Sequence, residues 1–233
     1  IAQGYRTSYA LKADGSVVAW GDNGSGQATV PQLNDVVAIA AGRSHALALK
    51  SDGTVVAWGS NGYGESTVPS GLSGVIAVAA GAYGSLALKG DGTVVAWGDT
   101  RYGQTQVPAG LSNVTAITGG IYHRVALKSD GTIISWGNNS MGECTIPEQL
   151  SGLTAVATRS SSTLALKSDG SVYGWGVNTY GQAKAPAGLA EVSAVAVGIN
   201  HSLALRYDGT VAVWGDNGKG QASVPAGLAD VYA

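Results

Sequence analysis

The stretch LALKSDGTVVAWG at residues 47–59 recurs six times, with small changes, along 233 residues. Each copy ends on one of the six tryptophans, Trp20, Trp58, Trp97, Trp136, Trp175 and Trp214. Each is followed by one of the six prolines, Pro31, Pro69, Pro108, Pro147, Pro186 and Pro225. Successive tryptophans lie 38, 39, 39, 39 and 39 residues apart. A fixed period of this size constrains the fold more than any other feature, because units this small must bury their faces on one another. The units are 36–74, 75–113, 114–152, 153–191 and 192–230, with residues 1–35 plus 231–233 making one more.

Within a unit, apolar runs of strand length alternate with turn signals. Asp52-Gly53 lies between Leu49 and Val55, and the pair recurs at Asp14, Asp91, Asp130, Asp169 and Asp208. Asp-Gly between apolar runs predicts a hairpin with a type I′ turn. The stretch after the Trp-Gly pair predicts a short fourth strand ending at Val68-Pro69, where proline blocks further pairing. Such a unit, repeated, reads as a propeller blade. Val231-Tyr232-Ala233 followed by Ile1-Ala2-Gln3-Gly4 matches Val36–Gly42. The expectation is therefore all-β: a six-bladed β-propeller of four-stranded antiparallel blades, its ring closed by pairing of the N- and C-terminal segments. In the column Ala38, Ala77, Ala116, Ala155, Ala194 and Ala233, a small residue lets inner strands crowd near the axis. The tryptophans are expected to fill the gaps between blades. A chain cut within a strand also fits an engineered or reconstructed propeller with no natural partner.

Composition excludes several classes. Charged residues make up 12% and the net charge is −2, which does not give the basic stripe a nucleic-acid binder needs. No apolar run approaches the roughly 20 residues of a membrane helix. The one cysteine, Cys144, allows no internal disulfide, and a passive thiol is expected. No signal peptide is visible, as in a mature secreted chain. His45, His123 and His201 recur in every second unit, a threefold arrangement that metals favour. They open second strands, however, one strand spacing outside the axis, so their nitrogens are not expected to converge on a metal. Asp22, Asp99 and Asp216 follow the Trp-Gly pair as Asx-turn formers. Gly-rich stretches such as GDNGSGQ at 21–27 are turn chemistry, since no helix opens after them. No enzyme, cofactor or metal site is expected.

The recurring HSLAL…DG.V..WG.N..GQ pattern, clear at 45–65 and 201–221, resembles the regulator-of-chromosome-condensation repeat. The resemblance covers the whole chain. With its Val-Pro ending, the short unit is most similar to the bacterial β-lactamase inhibitory protein II branch. That branch implies a secreted, non-catalytic propeller that binds other proteins through loops on one face. The resemblance also implies that the recurring histidine is structural, bonded within its blade. Members of the family usually have seven blades, whereas six units are counted here. The nuclear exchange factor that names the family uses an insertion to act on a small GTPase. No unit here carries one, so that activity is not expected.

Strand alternation sorts the loops onto two faces. The Asp-Gly face barely varies, and its column Lys12, Lys50, Lys89, Lys128, Lys167 and Arg206 reads as a solvated rim neutralised by the neighbouring aspartates. The other face is diverse. Its first turns carry Tyr5-Arg6, Arg43, Tyr83 and Tyr122; its second turns carry Tyr63, Arg101, Tyr102, Met141 and Tyr180. Tyrosine and arginine anchor interfaces because they bring large area and hydrogen bonds at low entropic cost. The expected partner-binding residues are Arg43, Tyr63, Tyr83, Arg101, Tyr102, Tyr122, Met141 and Tyr180. The expected partner of this monomer is a β-lactamase or another cell-wall enzyme. A lectin-like module with one glycan pocket per blade would need similar loops in every blade, and these differ.

Overall fold

The computed structural model describes residues 1–148 and 150–232. The position of Ala233 in the alanine column therefore lies outside the described residues. Six units form six three-stranded antiparallel sheets, each in the order inner, middle, outer. In the second unit these strands are Val36–Ala41, His45–Lys50 and Val55–Gly59. Alternation explains the burial of the middle strand. Leu47 and Leu49 face the next blade, and Ala46 and Ala48 face the previous one.

Among the described residues the expected fourth strand does not form. After Gly59 the chain closes on itself through tight turns, with Gly64 N–H donating to Asn61 O and Thr67 N–H to Gly64 O. The Asn61 side chain caps them, accepting from Ser66 N–H at 2.9 Å and donating to Thr67 Oγ1 at 2.9 Å. These local side-chain bonds take the place of a ladder. Val68 still packs into the core.

The hairpin turn also differs from expectation. Gly53 has φ +78°, whereas Asp52 stays at negative φ. Gly53 N–H donates to Lys50 O, and Lys50 N–H to Thr54 O. This is a type I turn followed by a left-handed glycine, a G1 bulge, in place of a type I′ turn. Asp52 Oδ1 fixes it by accepting from Thr54 N–H.

Among the described residues there are five buried apolar clusters, and each joins two consecutive blades. The cluster between blades 2 and 3 shows the recipe. Leu47, Leu49 and Val55 of blade 2 meet Val75, Ala87 and Trp97 of blade 3. The indole N–H of Trp97 donates to Glu65 O of blade 2 at 3.0 Å. Trp58, Trp136, Trp175 and Trp214 repeat this bond to Gln27, Gln104, Glu143 and Gln182. The tryptophans thus fill inter-blade gaps as expected, in five of the six units.

The first unit departs from this pattern. Trp20 is 55% exposed, whereas the other five are 6–8% exposed. The inner strand of blade 1 is only Ala2–Gln3 and pairs with the middle strand Thr7–Leu11 alone. Val231 and Tyr232 lie outside any strand. The expected pairing of the two ends is therefore not formed among the described residues, and blades 6 and 1 share no apolar cluster.

Two of the three histidines, His45 and His123, bond across blades, not within them as expected. His45 Nε2 lies 3.1 Å from Ser85 Oγ, and His123 Nε2 lies 3.1 Å from Thr163 Oγ1. Ser85 Oγ already donates to Glu65 O at 2.8 Å, so it accepts from His45, whose ring therefore carries its proton on Nε2. Burial lowers the pKa of both rings to about 4. The folded pKa lies below the unfolded value, so the stabilisation is full above about pH 6.5 and is lost as pH falls toward 4. Thermal melts should show a Tm that falls between pH 6.5 and 4, and His45→Gln should flatten that fall. An unchanged slope in the variant would exclude His45 as its source.

Candidate functional site

The diverse loop face is positioned by a buried column of Gln and Glu: Gln27, Glu65, Gln104, Glu143 and Gln182. Each uses its backbone carbonyl to accept the tryptophan of the next blade. Its side chain then reaches back to the exposed turn. Glu65 Oε2 accepts from Tyr63 N–H at 2.7 Å, and Gln104 Oε1 accepts from Tyr102 N–H at 2.9 Å. The same bond holds Met141 to Glu143 and Tyr180 to Gln182. The core interface and the presented side chains therefore share one anchor.

Four predicted residues form a continuous aromatic ladder across blades 2 to 4. Tyr63 meets Tyr83 edge-on with centroids 5.4 Å apart. Tyr83 stacks on Tyr122 at 5.7 Å, and Tyr122 meets Tyr102 at 4.6 Å. Arg101 lies 4.5 Å over the Tyr63 ring. It is clamped by Asp99, with Nη2 donating to Oδ2 at 2.8 Å and Nε to Oδ1 at 3.0 Å. Burial raises the Asp99 pKa, but the hydrogen bonds and charge of Arg101 outweigh it and hold the carboxyl below its usual range. Arg43 Nη1 donates to Tyr83 Oη at 2.9 Å, and its guanidinium stacks 5.1 Å from the Tyr5 ring. Aromatic pairs contribute about 0.5–1.5 kcal/mol beyond area burial, enough to hold rotamers in advance of a partner.

Two predicted residues stand apart from this network. Met141 is 65% exposed on blade 4 and Tyr180 52% exposed on blade 5. Tyr5 belongs with the ladder through Arg43, although it is not among the expected partner-binding residues. The signal was available, since Tyr5 occupies the blade 1 position equivalent to Arg43.

The inner strands surround a channel with a cavity of about 520 Å³, to which all six blades contribute. Ala and Gly are its commonest lining residues, and the lining has no carboxylate. Arg159 crosses the mouth, Nη1 donating to Gln3 O at 2.9 Å and Nη2 to Gly4 O at 2.8 Å. Cys144 donates to Asn138 O at 3.2 Å, and burial pushes its thiol pKa up, the opposite of an activated nucleophile. On the invariant face, Lys12, Lys50, Lys89, Lys128 and Lys167 each pair with the aspartate two residues on, at 3.1–3.6 Å. Asp22, Asp99 and Asp216 each accept the N–H two residues ahead, as Asx turns do.

No curated protein matches this sequence. Solved structures do match its fold. The chain is similar to Saccharomyces cerevisiae Prp20p, at 22% identity and TM-score 0.79, covering 92% of this chain and 70% of that one. That protein was characterised for its binding to Gsp1p and histones. The ectodomain of the Physcomitrella patens receptor kinase CR4 gives 21% identity and TM-score 0.79 over 96% of this chain and 65% of that one. Human WBSCR16 gives 22% identity and TM-score 0.76 over 99% and 79%. The regulator of chromosome condensation (RCC1) repeat profile matches residues 1–27, 36–65, 75–104, 114–143, 154–182 and 192–221. These segments contain the tryptophan, the Asp-Gly turn and the Gln/Glu anchor of every unit, and with them the chain belongs to the RCC1 repeat family.

Proposed function

We propose that this protein is a non-catalytic scaffold that binds another protein through its tyrosine and arginine loop face. The observation that carries this is the pre-ordered ladder Tyr63–Tyr83–Tyr122–Tyr102 with Arg43 and Arg101 fixed against it. Exposed aromatic clusters of this kind mark contact surfaces. Their rotamers are already paired, so little entropy is lost on binding. Prp20p, similar in fold, was characterised for its binding to Gsp1p and histones and crystallised bound to Kap60, which supports the same class of role here.

A β-lactamase or related cell-wall enzyme is the first partner to test, and it carries an extracellular location with it. In that reading the tyrosines seat on the rim of the enzyme's cleft and exclude substrate. The protein would be titrated into a panel of class A β-lactamases while hydrolysis of a chromogenic substrate is followed. Stoichiometric inhibition is expected, with Tyr83→Ala or Tyr102→Ala weakening it about thirtyfold, as for an interface hot spot of about 2 kcal/mol. No inhibition at micromolar protein would remove the β-lactamase reading. The broader reading would fall if wild type and a variant lacking all four ladder tyrosines capture the same proteins from bacterial secretions.

A further inference from the structure

Charge is distributed differently on the two faces. On the Asp-Gly face five lysines are each paired with an aspartate. On the loop face the first turns, with their flanking residues, carry Arg6, Arg43 and Arg159 and no acidic residue. Backbone bonds join these turns from blade to blade, as Tyr5 N–H donates to Arg43 O at 3.3 Å and Arg43 N–H to Ala82 O at 3.2 Å. The acids of this face lie in the second turns and are engaged there. Asp22 accepts from Gly24 N–H and Gln27 Nε2, both at 3.1 Å. Glu65 accepts from Ser60 Oγ and Tyr63 N–H, both at 2.7 Å. Asp99 holds Arg101, the one ion pair of this face among the described residues.

Arg6 and Arg43 are exposed and meet at one ring. Their guanidinium carbons lie 5.5 and 5.1 Å from the centroid of Tyr5. Among the described residues no carboxylate lies within ion-pair distance of either. Two like charges thus share a ring without a counter-ion, and an incoming anion relieves their repulsion. Arg43 is also held in place, donating from Nη1 to Tyr83 Oη at 2.9 Å and lying 5.7 Å from the Tyr83 ring. Its fork has further N–H donors to offer a planar acceptor. Tyr83 belongs to the aromatic ladder, so the cations and the aromatic surface are contiguous.

We propose that the loop face takes an acidic segment of its protein partner, with one Asp or Glu carboxylate held by Arg43 and Arg6 and an adjoining apolar or aromatic side chain laid on Tyr83 and Tyr122. This rests on the loop face being the protein-binding surface. A carboxylate supplies the missing counter-charge and accepts two parallel N–H bonds from a guanidinium. Arg43 is fixed before the partner arrives, so little side-chain entropy is lost on pairing. A nucleic acid also carries anions, but its phosphates need a longer basic stripe. Beside Arg43 the ladder offers only Arg101, which Asp99 already neutralises.

The test selects short random peptides displayed on phage against the full chain. The enriched peptide is then synthesised with its acidic residue and with the corresponding amide, and affinities are read by fluorescence anisotropy. Enrichment of Asp or Glu beside an aromatic or apolar residue is expected. Replacing the carboxylate by the amide should weaken binding to the wild type about tenfold, and binding to Arg43→Gln less than about twofold. Raising the salt should weaken the acidic peptide and leave the amide peptide nearly unchanged. An equal loss in wild type and Arg43→Gln overturns the proposal, as does a selection that yields no binder. A single-stranded oligonucleotide that displaces the peptide at equal concentration overturns it in favour of nucleic acid. Neutral peptides lost in Tyr83→Ala overturn the acidic partner and leave the loop face as a protein-binding surface. Peptides bound equally by wild type and Tyr83→Ala overturn both.

Discussion

Trp97→Ala is expected to lower stability by about 3–5 kcal/mol, whereas Trp20→Ala, in the same repeat column, should cost less than about 1 kcal/mol. Trp97 fills the core between blades 2 and 3 and donates to Glu65 O. Its removal leaves a cavity and takes one of two donors from the Glu65 carbonyl, which keeps only the Ser85 hydroxyl. Trp20 has neither the core nor the acceptor and stays more than half exposed. Guanidinium unfolding followed by circular dichroism reads both. Blades in such arrays are coupled mainly to their neighbours, so the Trp97 variant should also broaden the transition. Equal losses for the two variants would mean that Trp20 is buried in solution.

Arg124→Ser is expected to cost about 2–4 kcal/mol, and adding Gly84→His should recover part of that loss. Arg124 is fully buried and donates from Nη1 to Gly120 O at 3.1 Å and to His123 O at 3.0 Å. Its Nε and Nη2 have no partner, and burial lowers its pKa to about 10. Blades 2, 4 and 6 place a histidine ring against the glycine of their own first turn, at Gly42, Gly120 and Gly198. Blade 3 has Gly81 but carries Gly84 where the histidine would stand. The Arg124 guanidinium from blade 4 fills that slot, so closely that a side-chain carbon at Gly81 or Gly84 would overlap it. Serine alone empties the slot. With both changes, the introduced imidazole meets the introduced hydroxyl, as His45 meets Ser85. Denaturant midpoints decide the matter, and a double variant no more stable than Arg124→Ser would refute the compensation.

Much of this architecture was legible in the sequence because each repeat column has one physical task. The tryptophan column predicted inter-blade packing, and the Asp-Gly column predicted the hairpins. The loop diversity located the face on which Tyr63, Tyr83, Tyr102 and Tyr122 meet. What could not be read depended on contacts between units. The histidine partners lie one blade on, 40 residues away, and no local pattern reveals them. The Gly84 and Arg124 exchange is likewise invisible until blades 3 and 4 are placed side by side. The fourth strand was overestimated because Asn61, Thr67 and their equivalents satisfy the backbone locally, which strand propensity does not register. Direct pairing of the two ends followed from matching letters, whereas pairing needs the edges of blades 6 and 1 to meet.

The most direct test of the open edge is N-bromosuccinimide oxidation of the folded protein at low protein concentration, with each tryptophan followed by peptide mapping. Trp20 is expected to be oxidised first, while Trp58, Trp97, Trp136, Trp175 and Trp214 are protected together. Protection of Trp20 equal to the other five would contradict it and show six closed interfaces in place of five.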